Sequence, residues 1–278
     1  MKKVILWSLA IIITIAAGTY QKYTGPTYPK RLDVTLNNNF YELKLIRSLA
    51  LDERSEVKLS IIDTTVKARL FFKRFKSDDE YQVTDFKYRF EPKKEGFFAE
   101  VPQQPAAGKL QYYFEITDSK GTQSWFKDKP IVIRFKGGVP AFILIPHILF
   151  MFLAMLFSTL AGLMSVIKFP QYKKYAVWTL VLFIAGGMVL GPIVQYFAFG
   201  DFWTGIPFGW DLTDNKTLIA LLFWILAVFM NRKSDRPIYT ALAAFILLLV
   251  FSIPHSLFGS ELDYTSGQVT QGIILYFF

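Results

Sequence analysis

Polar and apolar positions follow one pattern in the first half of the chain and another in the second. Beyond position 138, three long runs carry no Asp, Glu, Lys or Arg: Val139 to Ile167, Ala176 to Gly200 and Pro237 to Ser260, of 29, 25 and 24 residues. At 1.5 Å per residue each is long enough for a helix that crosses a hydrocarbon layer about 30 Å thick. A fourth run, Thr217 to Met230, has only 14 residues. It reaches a spanning length if Asp214 caps the helix and Lys216 extends its ammonium toward the interface. At the start, Lys2-Lys3 precede 17 uncharged residues, Val4 to Tyr20. This pattern fits a signal peptide or a short retained anchor, and either one exports the segment after it.

Between these apolar blocks the period falls to two. Residues 21–30 hold Gly25, Pro26 and Pro29 and read as a linker. From there to position 136 short alternating runs take over. Val57 to Ile61 is one, Phe97 to Val101 another, and Leu110, Tyr112, Phe114 and Ile116 share one face of a third, before Ile131 to Phe135 closes the series. Asp118-Ser119-Lys120-Gly121 marks a turn. Seven to nine strands in about 105 residues, without a useful helical period, predict an antiparallel β-sandwich. The stretch Pro105 to Gly121 resembles the late strands of bacterial immunoglobulin-like and fibronectin type III-like modules. That resemblance covers residues 31–136 only and implies a fold. It transfers no functional residue, because such modules host unrelated functions.

The expected chain is therefore mixed: residues 1–20 an anchor helix or signal peptide, 21–30 a linker, 31–136 an exported immunoglobulin-like β-sandwich. Residues 139–260 form an all-α transmembrane bundle of four helices, and 261–278 an outer interfacial tail or a segment paired elsewhere. With the first helix retained there are five spans, and with it cleaved, four. Charge sets the orientation. Lys2, Lys3, Lys168, Lys173, Lys174, Arg232, Lys233 and Arg236 flank one side, eight basic residues against Lys216 alone in the short loops of the other. The β-domain then lies outside, which is the periplasm in a Gram-negative bacterium, with the helices in the inner membrane.

Charge and chemistry narrow the function. Residues 19 to 139 hold 22 Lys+Arg and 16 Asp+Glu, a net +6 (22 minus 16) scattered with alternating sign. That is a solvated surface, with no pointer to nucleic acid. With no cysteine, disulfides, thiolate metal sites and Cys nucleophiles are excluded. Walker A, HExxH and Gly-x-Ser-x-Gly patterns are missing, so no catalytic residue can be named.

One constellation remains. The two histidines of the chain, His147 and His255, each follow Ile-Pro. His147 is 20 residues before Ile167 and His255 is 18 after Pro237, roughly 30 and 27 Å of helix, which predicts one common level. Gln195, Asp211, Asp214, Glu261 and Asp263 fall at or near that level. Such a shelf suits a divalent metal through His147, His255, Asp211 and Asp214, with Met151 as a soft ligand, or a haem held axially by the two histidines. The competing expectation is a non-catalytic interaction or assembly protein, anchored in the lipid bilayer and binding a protein partner through the β-domain.

Overall fold

The computed structural model describes residues 1–90, 94–254 and 260–270. It is a mixed α and β chain that divides into two compact units. One is helical, built from Met1–Pro26 and Val139–Ser260; the other is a β unit, built from Thr27–Gly138 and Glu261–Thr270.

In the β unit eleven strands lie between Lys30 and Lys136 among the described residues: β1 (Lys30–Leu36), β2 (Asn39–Leu45), β3 (Ser48–Ala50), β4 (Glu56–Leu59), β5 (Lys67–Arg74), β6 (Gln82–Asp85), β7 (Lys87–Arg89), β8 (Gly96–Glu100), β9 (Lys109–Asp118), β10 (Gly121–Trp125) and β11 (Ile131–Lys136). The surplus over the expected seven to nine comes from pieces of three to five residues, too short to show a period. The largest sheet runs β3-β11-β9-β5-β6, with β10 also paired to β9; a second runs β4-β8-β7, and β1 and β2 form a hairpin. All pairings are antiparallel except β3 with β11.

The period-two stripe read from the sequence is the centre of this unit. Leu110, Tyr112, Phe114 and Ile116 of β9 are buried and share one core with Leu70 and Phe72 of β5, Ile133 and Phe135 of β11, Val57 and Leu59 of β4, Phe97 of β8, and Leu43 and Leu45 of β2. Both larger sheets and the hairpin thus fill the same interior. Tyr112 buries its ring there and donates its hydroxyl to the Ile46 carbonyl, 3.1 Å away. Two local devices set the connections. Asn37 and Asn38 take positive φ (47° and 67°), as a two-residue hairpin turn requires, and asparagine tolerates it. Gly96 sits at φ 144°, where a Cβ would lie 2.4 Å from the Leu59 carbonyl oxygen.

The chain after the last helix does not behave as one tail. Glu261–Leu262 (β12) and Val269–Thr270 (β13) pair with each other and join the β unit, while residues 271–278 lie outside the described residues. The attachment is polar and specific. The Leu262 N–H donates to the Ala107 carbonyl (3.1 Å), and the Glu261 carboxylate meets Lys109 at 2.6 Å and Lys76 at 3.1 Å. Burial pushes the Lys109 ammonium below its ordinary pKa, opposed by the hydrogen bond and charge of Glu261.

The helical unit contains α1 (Lys2–Thr24), α2 (Ala141–Val166), α3 (Tyr172–Phe199), α4 (Leu212–Met230) and α5 (Pro237–Ser252). The first four are long and apolar enough to cross a membrane; α5, at 16 residues, is shorter. Helix α1 runs past the expected boundary at Tyr20, because Gln21-Lys22-Tyr23 continue the helix until Gly25-Pro26 stops it. Small residues set the closest approach: a Cβ on Gly162 of α2 would lie 2.5 Å from Cβ of Ala244 on α5. At one end of the unit, Gln21 of α1 donates to the Phe251 carbonyl of α5 (3.1 Å). At another position the Tyr172 hydroxyl donates to Asn231 Oδ1 (2.7 Å), and Asn231 Nδ2 donates to the Ala227 and Arg236 carbonyls. The loop between α4 and α5 is closed by this one buried amide.

Candidate functional site

The proposed shelf falls on α2, α3, α4 and the loop between α3 and α4. Helix α3 is not uniform. Residues Ile184–Leu190 widen into a π-helical segment that ends at Gly191, whose N–H donates to the Gly186 carbonyl five residues back. Pro192 follows and has no N–H to give, so a regular ladder cannot continue through this point. Gly186, Gly187 and Gly191 leave this face bare of side chains, and neighbours press against it. A Cβ on Gly186 would stand 3.1 Å from Met151 Sδ; one on Gly187 would stand 3.3 Å from Thr217 Cγ2 and 3.5 Å from Met151 Sδ; one on Gly191 would stand 3.8 Å from His147 Cε1.

His147 and Met151 are thus brought to the same face, as their spacing of four on a helix predicts. His147 is half-buried, and its Nδ1 lies 2.9 Å from the Gly186 carbonyl oxygen. A carbonyl only accepts, so Nδ1 carries the proton in this bond. The neutral ring then has its lone pair on Nε2.

The acids sit differently. Asp211, and not Asp214, is the N-cap of α4: its Oδ1 accepts from the N–H of Thr213 (2.7 Å) and of Asp214 (3.2 Å). Asp214 falls in the first helical turn and turns back onto the preceding loop. Its Oδ2 accepts from Thr204 N–H (2.6 Å), the Thr204 hydroxyl (3.1 Å) and Gln195 Nε2 (3.1 Å). Asn215 repeats the motif one residue on, its Oδ1 accepting from Ile206 N–H at 2.8 Å. The aromatic loop between α3 and α4 is therefore clamped by the first turn of α4. Gly205 is needed under the clamp, since a Cβ there would lie 2.6 Å from Asp214 Cβ.

Lys216 does not reach outward as expected. It is buried, and its ammonium donates to the Ile253 carbonyl (2.7 Å), 5.9 Å from the centre of the Phe251 ring. It thus binds a carbonyl just beyond the C-terminal end of α5, where a cation is favoured by the helix dipole.

Of the shelf residues, His147 and Met151 share one face, and Gln195 and Asp214 are bonded to each other. Asp211 is engaged as a cap. Glu261 and Asp263 belong to the β unit: Glu261 pairs with two lysines, and Asp263 Oδ1 accepts from the Thr265 N–H (2.8 Å) inside its own turn. His255 lies outside the described residues. Among the described residues, no three His, Asp or Glu side chains are grouped to hold a metal ion. Thr204, Asn215 and the Gly186 carbonyl were not readable in advance; only Gly-Gly five residues before Pro192 hints at the irregular turn. No protein-family model matches the chain, and no curated protein matches it.

Proposed function

We propose that this chain is a multi-pass bacterial inner-membrane protein whose β unit, an immunoglobulin-like sandwich, lies in the periplasm and binds a protein partner, with the helices as anchor. The observation that carries this reading is the return of Glu261–Thr270 to the β unit. The chain leaves that unit after Gly138 and rejoins it at Glu261, so an even number of crossings separates the two points. Helices α2 to α5 supply four. Helix α5 then crosses despite its length, roughly 24 Å at 1.5 Å per residue, a mismatch that local thinning absorbs. The bond from Gln21 to the Phe251 carbonyl joins the C-terminal ends of α1 and α5, which supports α1 as a fifth span in the same sense. The basic residues around 168–174 and 231–236 then face the cytoplasm.

A pair of single cysteines in this Cys-free chain tests the reading. In intact cells an impermeant thiol reagent is expected to label Ser119→Cys and to spare Ser234→Cys; both sites are exposed. The reversed pattern refutes the orientation. A photo-cross-linker on the Ser119 thiol is expected to join one discrete partner, and cross-linking to lipid alone removes the interaction role.

One observation favours a second reading, a redox metal or haem at the shelf. Histidines that bind metal usually donate their other ring N–H to a carbonyl or carboxylate, and His147 does so through Nδ1, leaving Nε2 as a donor atom. The carboxylates of Asp211 and Asp214 are engaged elsewhere, so the ligand set would reduce to His147 with Met151 or His255. The expected outcome is stoichiometric metal or a haem absorption band in purified protein, lost in His147→Ala and in His255→Ala alike. Protein purified without chelator that carries neither ends this reading.

A further inference from the structure

The segment Glu261 to Tyr264 lies on the β unit as a peptide ligand lies on a receptor. Among the described residues none of 261–270 belongs to the apolar core of the unit. Three residues of a four-residue stretch, Glu261, Leu262 and Tyr264, make the attachment. Both Glu261 carboxylate oxygens are taken, Oε2 by Lys109 (2.6 Å) and Oε1 by Lys76 (3.1 Å). The Leu262 N–H donates to Ala107, as an added strand would. The Tyr264 hydroxyl accepts from Lys109 N–H (2.9 Å) and donates to Lys109 C=O (2.8 Å), and the Arg74 guanidinium stands 5.0 Å from the Tyr264 ring centre. Asp263 faces its own turn, and residues 265–269 are exposed.

The receiving surface is shaped for this sequence. Gly108 has no side chain where Tyr264 lands; a Cβ there would be 3.2 Å from the hydroxyl and 2.7 Å from Gln104 Cβ. The ammonium groups of Lys76 and Lys109 each stand 5.4 Å from the centre of the single Phe75 ring. Each ammonium lies on one carboxylate oxygen of Glu261, whose charge offsets the repulsion between them. Without the hairpin the surface would expose two converging lysines, the Arg74 guanidinium on its Asp79 partner, the Ala107 carbonyl and the Lys109 N–H.

We propose that this groove is a recognition site for an extended acidic-aromatic peptide segment of the form Glu-x-x-Tyr, occupied here by the chain's own hairpin and open to a partner protein's segment once the hairpin lifts. The proposal rests on the β unit being the partner-binding half. A two-rung ladder held by polar contacts has low local stability, so it opens without unfolding the core. A partner's segment competes with it in the same geometry, and the hairpin sets the threshold for binding.

The probe is a labelled peptide of residues 260–270, titrated into the full chain in detergent micelles. Wild type is expected to bind it weakly, because the competent open state is a minor population. Tyr264→Ala loosens the hairpin and is expected to bind at least about tenfold tighter, as a larger competent fraction dictates. Adding Lys109→Ala should abolish that gain, as should a peptide with Glu and Tyr exchanged. A disulfide between Ala107→Cys and Leu262→Cys locks the hairpin; the oxidised protein should exclude the peptide and the reduced protein admit it. Equal binding by both forms, or binding by neither, overturns the proposal, and this comparison decides even if Tyr264→Ala fails to fold. A partner cross-linked from Ser119 together with no peptide binding sinks the groove alone; loss of both sinks the interaction reading as well.

Discussion

Phe114→Ala is expected to destabilise the β unit by about 3 to 5 kcal/mol, the range for removing a fully buried aromatic ring. Phe114 is entirely buried at the middle of β9, stacked on Trp125 with ring centres 5.7 Å apart. Its strand pairs with β5, β10 and β11, so the cavity opens where the largest sheet has most neighbours and least freedom to collapse. Unfolding of the full chain in detergent, followed by near-UV dichroism of the β-unit aromatics, measures the effect. Phe114→Leu, which keeps most of the volume, should lose much less. Equal and small losses in both variants would mean that the site relaxes around the cavity and that β9 is not the centre of the core.

Asp214→Ala is expected to cost about 3 kcal/mol, since it removes the one acceptor shared by the Thr204 N–H, the Thr204 hydroxyl and Gln195 Nε2, although Gln195 keeps its bond to the Thr204 hydroxyl (2.7 Å). Asp214→Asn keeps an acceptor oxygen and should cost less. The local sign is distinctive. Hydrogen exchange at the Thr204 amide should rise sharply in the alanine variant, while amides of β9 stay unchanged. Unaltered protection at Thr204 would show that the loop holds its form without the clamp. Asp211→Ala should act differently, removing a helix cap worth about 1 kcal/mol and leaving the Gln195 and Thr204 bonds in place.

Much of this arrangement was legible because it rests on local periodicity. The stripe Leu110, Tyr112, Phe114, Ile116 could face only one way in a strand, and two of the three uncharged runs became long helices, whereas the run from Pro237 is helical only to Ser252. What stayed hidden depends on partners far away in sequence. The parallel pairing of β3 with β11 joins Leu49 to Phe135, and nothing near either residue specifies the other. Glu261 read as part of a polar shelf because its distance from the last apolar run was known and its partners, Lys76 and Lys109, were not. Two acids at the start of α4 each satisfied the rule for a cap. Asp211 took the role because its carboxylate reaches the amides two and three residues on, which left Asp214 to clamp the loop. Lys216 was expected to extend toward the interface so that a 14-residue run could span, and its ammonium instead binds a helix-end carbonyl 2.7 Å away.

The β unit is discontinuous in the chain, and this orders its synthesis. Its core residues, 34 to 135, are translated before α2 to α5 and form one apolar cluster among themselves. Its last piece, 261–270, is translated only after α2 to α5. Until then the Lys76 and Lys109 ammonium groups have no Glu261, and the groove stands open on every nascent chain. Docking of the hairpin therefore reports that the intervening helices have been made. With the topology proposed above, a chain in which one of those four helices fails to insert strands its hairpin in the opposite compartment, and the empty groove marks that molecule as misassembled.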